Sequence, residues 1–472
     1  MSAEPQAGAY RPDPQIAPLA PWLADPVAAA DFPRAGLRFR NQRWAGAVGL
    51  GDLTDEDWTQ HFARFAPLPG NLPQPLALRY HGHQFQVYNP DIGDGRGFLF
   101  AQLRDADGRL LDLGTKGSGQ TPWSRFGDGR LTLKGAVREI LATELLEAHG
   151  VYTSKTFSVI ETGEELVRND EPSPTRSAVL VRLSHGHIRI GSFQRLLALE
   201  EKDHMAELVD YCLARFPGSP APADAPGRDE PAVRLMHQVV ERLADMAASY
   251  MVSGFVHGVL NTDNMNVTGE SFDYGPWRWL PRFDPAFTAA YFDHQGLYAY
   301  GRQPGAIHWN CGQLAVALRL LAGSEPLIAA LDRFAPLYRA ALGRRFCWRL
   351  GVEPQGEEAD LALFQGAGQY MQQEGLSPDL FHFLHRAGRN PPEGALGDLL
   401  RARRPAAAPD DPLGHPFWAE AAPVTNHIDE VERIWSAIAD HDDWSPLHDQ
   451  VAAIRRLGAA LGPAPVPAGH GF

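Results

Sequence analysis

The chain has 472 residues, a mass of 51.8 kDa and a formal net charge of −14, because 57 acidic residues outnumber 43 basic ones. This charge argues against a general binder of nucleic acid or anionic membranes, and an apolar fraction of 44% excludes wholesale disorder. The three cysteines, Cys212, Cys311 and Cys347, are too few and too far apart for a disulfide framework or a zinc site. The N-terminus lacks a signal-peptide pattern, and no run of about 20 apolar residues is present. We therefore expect a soluble, cytoplasmic monomer that binds neither nucleic acid nor membranes.

The predicted elements divide the chain into a strand-rich first half and a helix-rich second half. Residues 1–35, rich in proline and alanine, are expected to wrap a surface without regular structure. The runs 98–103 and 110–116 predict a β-hairpin that turns at Asp107-Gly108. Periodicity then predicts helices over 134–148, 195–215, 232–253 and 311–350, and strands over 156–162 and 177–184. This order favours a two-lobed α+β protein over a repeating βαβ sheet.

A glycine-rich segment, Gly93-Asp94-Gly95-Arg96-Gly97, directly precedes the first strand of this hairpin. Glycines at every second position let backbone amides approach an anion, although a plain turn between strands would read the same way. Lys116 ends the next strand, and Glu139 lies on the helix that follows. A glycine-rich loop, a strand lysine and a helical glutamate, in this order, are typical of the N-terminal lobe of a protein kinase.

The segment 255–267 carries the second half of this pattern. Aligned on His257, it has asparagine at Asn264, where a kinase catalytic loop holds metal, but Val259 where the kinase has its catalytic aspartate. Asp273 begins an Asp-Tyr-Gly sequence nine residues after Asn264, and the two side chains supply the hard oxygens that Mg²⁺ prefers. Asp263, beside Asn264, is the nearest substitute for the missing base. The alternative interpretation is a pair of ordinary Asx turns.

Two arginines and a second glycine-rich loop have no counterpart in an ordinary kinase. Arg182 lies on a predicted strand and Arg189 on a strand-like segment, where the plain interpretation is solvent-facing charge. A guanidinium is also the preferred partner of phosphate. The second loop, Gly127-Asp128-Gly129-Arg130, falls between Lys116 and the helix.

These motifs closely resemble the selenoprotein O family of protein adenylyltransferases, in its bacterial branch without selenocysteine. The resemblance runs from about residue 75 to 320. The matching segments are Gly93–Arg96, Gly114–Pro122, Ser124–Arg130, His257–Met265, Arg278–Phe287 and His308–Asn310.

The resemblance implies a pseudokinase: a protein-kinase-like, bilobal α+β fold that binds ATP in reversed orientation. It implies an N-terminal extension over 1–75, an N-lobe over 76–195, a helical C-lobe over 196–350 and a C-terminal helical extension over 351–472. Trp435, Ile438 and Trp444 are expected in the core of that extension.

The implied activity is transfer of AMP from ATP to Ser, Thr or Tyr hydroxyls of proteins, with release of pyrophosphate. Asp263 would accept the proton, Asn264 and Asp273 would hold Mg²⁺ or Mn²⁺, and Glu139 would position Lys116. Carried over by motif, the nucleotide contacts are Gly93, Gly95, Arg96, Lys116, Asp128, Gly129, Arg182 and Arg189.

Some features depart from the family pattern, and other functions stay open. The segment 81–86 differs from the family's glycine-rich version, and the His-x-His pairs at 81/83 and 185/187 are expected to be structural rather than metal ligands. The tail 468–472 has no cysteine nearby, so we expect no redox switch between tail and catalytic lobe. The alternatives are UMP transfer from UTP, phosphotransfer to a small molecule, or a silent nucleotide-sensing module that acts by binding partners.

Overall fold

One antiparallel sheet organises the first half of the chain in the computed structural model, which describes residues 5–169, 171–406 and 411–465. The strands are β1 (Ala24–Pro26), β2 (Gly36–Arg40), β3 (Leu76–Leu78), β4 (Gly82–Gln84), β5 (Val87–Asn89), β6 (Leu99–Arg104), β7 (Leu110–Lys116), β8 (Leu131–Thr132), β9 (Lys155–Leu166), β10 (Thr175–Ser184), β11 (Phe255–Val256) and β12 (Arg278–Trp279). The main sheet has the order β1-β3-β6-β7-β10-β9-β2, with β8 paired to β10. The strands β4–β5 and β11–β12 form two small hairpin-like pairs.

Helices surround the sheet and form most of the second half. They are α1 (Ala20–Leu23), α2 (Gln42–Ala47), α3 (Asp55–Phe62), α4 (Leu133–Ala148), α5 (Ile190–Ala198), α6 (Lys202–Arg215), α7 (Pro231–Ser253), α8 (Gln303–Leu318), α9 (Ser324–Asp332), α10 (Phe334–Leu350), α11 (Glu357–Glu374), α12 (Pro378–His385), α13 (Ala395–Arg401), α14 (Ile428–His441) and α15 (Ser445–Leu461). The prediction of an α+β protein is confirmed. No helix of the described ranges combines the length and the apolar character needed to cross a bilayer.

The N-terminal segment contributes both outer strands of the main sheet. The prediction that 1–35 lacks regular structure is wrong for the described part, because α1 and β1 form there and β1 pairs with β3. At the opposite edge β2 pairs with β9. These short strands lack a strong alternating pattern, so their formation depends on backbone partners that are distant in sequence.

The pleat of the sheet determines which side chains face α4. On β7 and β10, Leu111, Leu113, Val179 and Val181 join the apolar cluster on one face, together with Trp58 and Phe62 of α3. Since side chains alternate along a strand, Lys116 and Arg182 stand on the other face, toward α4. Lys116 lies opposite Leu180, so Arg182 is its diagonal neighbour. The predicted hairpin is confirmed, and Gly108 adopts a φ of 82° in its turn.

Helix α4 forms where the periodicity predicts it and is almost entirely buried. The hydroxyl of Thr132 accepts a hydrogen bond from the Gly135 amide at 3.1 Å and caps its first turn. Its far side packs against α15, and Arg455 of α15 donates to Glu144 at 2.7 Å.

The second half differs from the sequence prediction mainly in its breaks. The helix expected over 195–215 is two helices, α5 and α6, because Glu200 between them adopts a left-handed φ of 55°. The helix expected over 311–350 is three helices, and the first begins at Gln303. Helix α7 agrees with its prediction and ends at Gly254, whose φ is 69°. It lies at the centre of the helical half, packed by α6, α8, α9 and α10.

The C-terminal region is helical, as expected, but two of the three residues predicted for its core are only partly buried. Ile438 is fully buried, whereas Trp435 and Trp444 only pack against the edge of the core. The Trp444 ring instead lies under the Arg38 guanidinium, 5.2 Å from ring centroid to carbon. The apolar spacing on α14 therefore predicted which face of the helix is buried. It did not predict that Ile438 lies at the centre of that face and Trp435 at its edge.

Candidate active site

A cleft of about 680 Å³ lies between the sheet and the helical half. It brings together ten of the twelve predicted site residues. These are Gly93, Gly95, Arg96, Lys116, Asp128, Gly129, Arg182, Arg189, Asp263 and Asp273. The remaining two, Glu139 and Asn264, are buried residues that do not line the cleft itself.

Four charged side chains form a compact cluster at the inner wall of this cleft. Lys116 Nζ lies 3.2 Å from Glu139 Oε1 and 3.0 Å from Asp273 Oδ1. Arg182 Nη2 lies 2.8 Å from each of the same two carboxylate oxygens. Two cations therefore share two carboxylates, so the prediction that Glu139 holds Lys116 agrees with the geometry.

Burial and charge act against each other in this cluster. Burial would raise the pKa of Asp273, but the facing Lys116 and Arg182 hold that pKa well below its ordinary value. Burial lowers the pKa of Lys116, although both carboxylates act in the opposite direction. Asp273 adopts a φ of 62°, a strained backbone for a non-glycine residue, which is common where a side chain must be aimed at a functional site.

The two glycine-rich loops meet at the mouth of the cleft. A Cβ on Gly93 would lie 2.5 Å from the Trp123 ring, so this close approach requires glycine. Gly129 has a φ of 69°, and a Cβ there would lie 2.2 Å from the backbone of Gly119. Asp128 lines the cleft and pairs with Arg168 at 2.8 Å.

Arg189 is not on a strand, contrary to the prediction. It occupies the N-cap position of α5, because its backbone extends toward Asn266 while the helix begins at Ile190. Its guanidinium lies 4.3 Å from the centroid of the Tyr80 ring and 5.0 Å from that of Phe272. Nη2 donates to Asp94 Oδ1 at 2.9 Å. The side chain is thus a buried cation whose position is set by two rings and one carboxylate.

The loop from His257 to Asn264 presents an aspartate rather than the kinase base. Asp263 lies in a short 3₁₀ turn, and its Oδ1 is a buried oxygen without a hydrogen-bond partner among the described residues. Its other oxygen receives only a long contact of 3.5 Å from Gln84 Nε2. Burial raises the pKa of Asp263 from 3.8 to about 6. An under-satisfied carboxylate in a cleft is suited to accept a proton from a bound hydroxyl.

Asn264 and Asp273 fit a hard divalent cation by their chemistry. The amide nitrogen of Asn264 donates to the Val259 carbonyl at 2.9 Å, which orients the side chain and leaves its oxygen as the free ligand atom. Asp273 contributes carboxylate oxygens at the cleft wall. Bound phosphates would complete the coordination, as in other Mg²⁺ sites with few protein ligands. Within the described residues no group of three or more His, Cys, Asp or Glu side chains has metal-binding geometry.

Sequence reasoning missed several members of the site. Asp94 and Tyr80 hold Arg189, and Arg168 holds Asp128. Asp94 stands inside the first glycine-rich segment, so its position was a usable signal. Tyr80 and Arg168 lie in segments with no motif, and only the folded chain brings them to the cleft.

Known proteins share this combination of sequence and site. The family model described as "Protein adenylyltransferase SelO" matches residues 9–388. The chain belongs to the SelO family. A relative in Synechococcus elongatus, named "Protein nucleotidyltransferase YdiU", is 49% identical over 343 residues, which cover 72% of this chain and 68% of the relative. Relatives of the same name in Synechocystis sp. and Pseudomonas aeruginosa are 39% and 38% identical, over 94% and 75% of this chain and 97% and 71% of theirs.

Family membership confirms the resemblance and the prediction of an enzyme of the nucleotidyltransferase class. The family description also implies ATP as the substrate. Cys212, Cys311 and Cys347 are buried free thiols. Two histidines of the His-x-His pairs form hydrogen bonds with other side chains: His83 with Gln194 at 2.7 Å and His187 with Asp112 at 3.1 Å. The tail 468–472, on which the absence of a redox switch was predicted, falls outside the described residues.

Proposed function

We propose that this SelO-family protein transfers AMP from ATP to Ser, Thr or Tyr hydroxyls of proteins and releases pyrophosphate. The observation that carries this proposal is the position of the proton-accepting aspartate in the catalytic loop. Val259 stands where a kinase has its aspartate, while Asp263 lines the same cleft as Lys116 and Asp273 and has a buried Oδ1 without a hydrogen-bond partner among the described residues. The site thus has the phosphate-binding lysine and the metal-binding aspartate of a kinase, whereas its proton acceptor lies at a different position of the loop.

The cations of the cleft support binding of a polyphosphate. Arg96 is exposed at the mouth, and Lys116 and Arg182 stand behind it at the inner wall. Arg189 lies on the side of Asp263, since its Nη1 donates to the Asp263 carbonyl at 3.3 Å. Cations distributed along the whole cleft can follow a triphosphate from end to end. In the reversed orientation that we propose, the α-phosphate lies beside Asp263 and the terminal phosphates lie toward Arg96 and Lys116.

In the proposed reaction the acceptor hydroxyl oxygen attacks the α-phosphorus. A new P–O bond forms, the bond between the α-phosphorus and its bridging oxygen breaks, and pyrophosphate leaves with the bonding electrons. Asp263 accepts the hydroxyl proton. Because its pKa is about 6, Asp263 is mostly ionised at neutral pH and yet more basic than an ordinary aspartate.

Positioning and charge neutralisation supply the rest of the catalysis. Lys116 and Arg182, held by Glu139, would neutralise charge on the transferred and leaving phosphates. Asn264 and Asp273 would hold Mg²⁺ or Mn²⁺, which supplies further neutralisation when bound. The dense support around Lys116 fixes its ammonium before the nucleotide arrives.

We further propose that the fold is kinase-like and bilobal, within the limits predicted above. The support is the chain order of the site elements: the glycine loop before β6, Lys116 on β7, Glu139 on α4, and the catalytic segment after α7. We also retain cytoplasmic location, a monomeric state and the absence of nucleic-acid partners as proposals.

The decisive experiment compares ATP labelled at the α-phosphate with ATP labelled at the γ-phosphate. We expect α-label on the enzyme itself or on protein substrates, with a mass increase equal to AMP on hydroxyl side chains. Asp263→Ala should reduce this transfer by about 100-fold or more while ATP binding persists. Transfer of γ-label alone would refute the proposal in favour of phosphotransfer. Neither label transferred, with ATP still bound, would favour the silent sensing module.

A parallel series with UTP labelled at the α-phosphate tests the alternative nucleotide. Preferential UMP transfer would correct the nucleotide and leave the chemistry intact. Arg234→Gln provides a control, since Arg234 is an exposed residue of α7 that lines no part of the cleft. It should transfer AMP at the wild-type rate.

A further inference from the structure

A second cleft, of about 460 Å³, opens beside the nucleotide cleft and shares Arg96, Lys116, Arg130 and Arg168 with it. Its other walls are the first turns of α4, the segment 274–278 that follows Asp273, and residues 289–292. Seven basic and two acidic side chains line it, whereas the whole chain has a net charge of −14. The lining is therefore mainly basic on an acidic protein, and four of its seven cations are paired with carboxylates.

Two arginines in this cleft form no ion pair with a carboxylate of the described residues. Arg138 Nη2 and Arg278 Nη1 both donate to the carbonyl of Trp277, at 3.0 and 2.9 Å. The two guanidinium groups are therefore neighbours, and no carboxylate of the described residues lies within 4 Å of either. Glu432, an acid of the same cleft, is already paired with Lys134 at 2.8 Å.

Arg138 is held rigidly by its surroundings. Its guanidinium lies over the Trp277 ring, 4.5 Å from the centroid, and burial with the adjacent Arg278 lowers its pKa to about 10. At that pKa Arg138 stays charged at neutral pH. Two adjacent guanidinium groups without a direct carboxylate contact, and with Glu432 as a more distant opposite charge, favour an anionic ligand.

Exposed aromatic rings connect this cleft to the proposed base. Tyr291 and Phe292 lie on its rim and are 80% and 43% exposed. The Phe292 ring packs against Phe85, 5.7 Å between centroids. The Phe85 amide donates to Asn261 Oδ1 at 3.0 Å, in the loop that carries Asp263. The contacts of Phe292 and Phe85 therefore connect the rim of the second cleft to the loop that carries Asp263, and exposed rings beside charge are typical of protein-binding surfaces.

We propose that the second cleft binds acidic side chains that flank the acceptor hydroxyl of the protein substrate. This inference rests on the proposed function and names its substrate class. With the acceptor hydroxyl at Asp263, neighbouring residues would cross Tyr291 and Phe292, and an Asp or Glu would reach Arg138 and Arg278. Released pyrophosphate would also be attracted by the two arginines, but it would make no use of the exposed rings, so the structure favours a peptide.

The test uses peptides that contain one acceptor hydroxyl flanked by Asp and Glu, by Asn and Gln, or by Lys. For the wild-type enzyme we expect a KM about tenfold lower for the acidic peptide than for the neutral one. Arg278→Gln should remove this difference and leave the KM for ATP unchanged. Arg278→Glu should reverse the preference toward the lysine-flanked peptide, a result that mere loss of packing cannot produce. Arg234→Gln is the matched control and should behave as wild type.

Fluorescence anisotropy of the same peptides on the ATP-free protein supplies a readout that needs no catalysis. Equal peptide KM values and equal affinities in wild type and Arg278→Gln would overturn the inference. The inference would also fail if Arg278→Gln weakened only product inhibition by pyrophosphate. Charge-dependent binding without any transfer of α-label would instead refute the proposed function and retain the cleft, so the two failures are distinguishable.

Discussion

Glu139 offers the sharpest test of how the charge cluster stabilises the protein. In the native structure Lys116 and Arg182 share Glu139 and Asp273, with every pairing at 3.2 Å or less. Glu139→Gln removes one of the two negative charges and keeps the side-chain volume. It leaves two buried cations facing a single carboxylate.

The expected loss follows from what remains in the cluster. Breaking a buried ion pair by removing one partner costs about 3–5 kcal/mol, because the other charge stays buried without compensation. Asp273 still faces both cations, and the glutamine carbonyl can accept one of the lost hydrogen bonds. We therefore expect the free energy of unfolding to fall by about 3 kcal/mol, at the lower end of that range.

Urea unfolding at pH 7.5, followed by tryptophan fluorescence and by circular dichroism, measures this loss. Glu430→Gln is the control, because it breaks an exposed pair with Arg433 on α14 and should cost less than about 1 kcal/mol. In the double variant Glu139→Gln, Arg182→Met, the losses should not add, since the second substitution removes a charge that the first left unpaired. A loss for Glu139→Gln no larger than that of Glu430→Gln would refute the reasoning.

Three further predictions follow from single positions. Gly129→Ala should lower the melting temperature, because the φ of Gly129 is 69° and the new Cβ would lie 2.2 Å from backbone atoms. Gly275→Ala is the control, since open space surrounds Gly275 and its melting temperature should stay unchanged. Equal melting temperatures of the two variants would contradict this reasoning. Burial raises the pKa of Glu270 to about 8, so the folded carboxyl keeps its proton above the range where the unfolded one has lost it. Wild-type stability should therefore fall as the pH rises from about 4.5, the pKa of the unfolded carboxyl, to about 8, the pKa of the folded one. Glu270→Gln should flatten that fall in thermal melts; parallel declines would contradict the burial argument. The lysine of Arg189→Lys cannot reproduce the planar contact with Tyr80 and Phe272, so calorimetry should show that ATP binds about tenfold more weakly. An unchanged Kd for ATP would show that Arg189 does not contact the nucleotide.

Most residues of the candidate site were predicted from the sequence. The order of the glycine loop, Lys116, Glu139 and Asn264 along the chain predicted the site, because each residue belongs to an element with its own local signal. Helix α4 carries a strong 3.6-residue pattern, and β6 and β7 are short apolar runs around a clear turn. The glycine loop and Lys116 line one cleft, and Glu139 contacts Lys116 from behind the cleft wall.

Other features were beyond local pattern. The outer strands β1 and β2, the break at Glu200 and the position of Arg189 at a helix start depend on partners far away in the chain. Local propensity depends only on neighbouring residues, so it gives no information about those distant partners. For this reason the predicted helices ran across the observed breaks, and Arg189 was predicted on a strand-like segment.

The sequence by itself predicted which residues form the site, since residue type and order along the chain are local properties. Only the tertiary structure decided that Arg182 stands diagonally beside Lys116 and that Arg138 and Arg278 meet at one carbonyl. It also decided that one oxygen of Asp263 has no hydrogen-bond partner among the residues that the structure describes. These facts depend on strand register, burial and packing between segments far apart in the chain. The acidic composition gave no sign of the second cleft, because net charge sums over the whole surface while recognition depends on how folding distributes it.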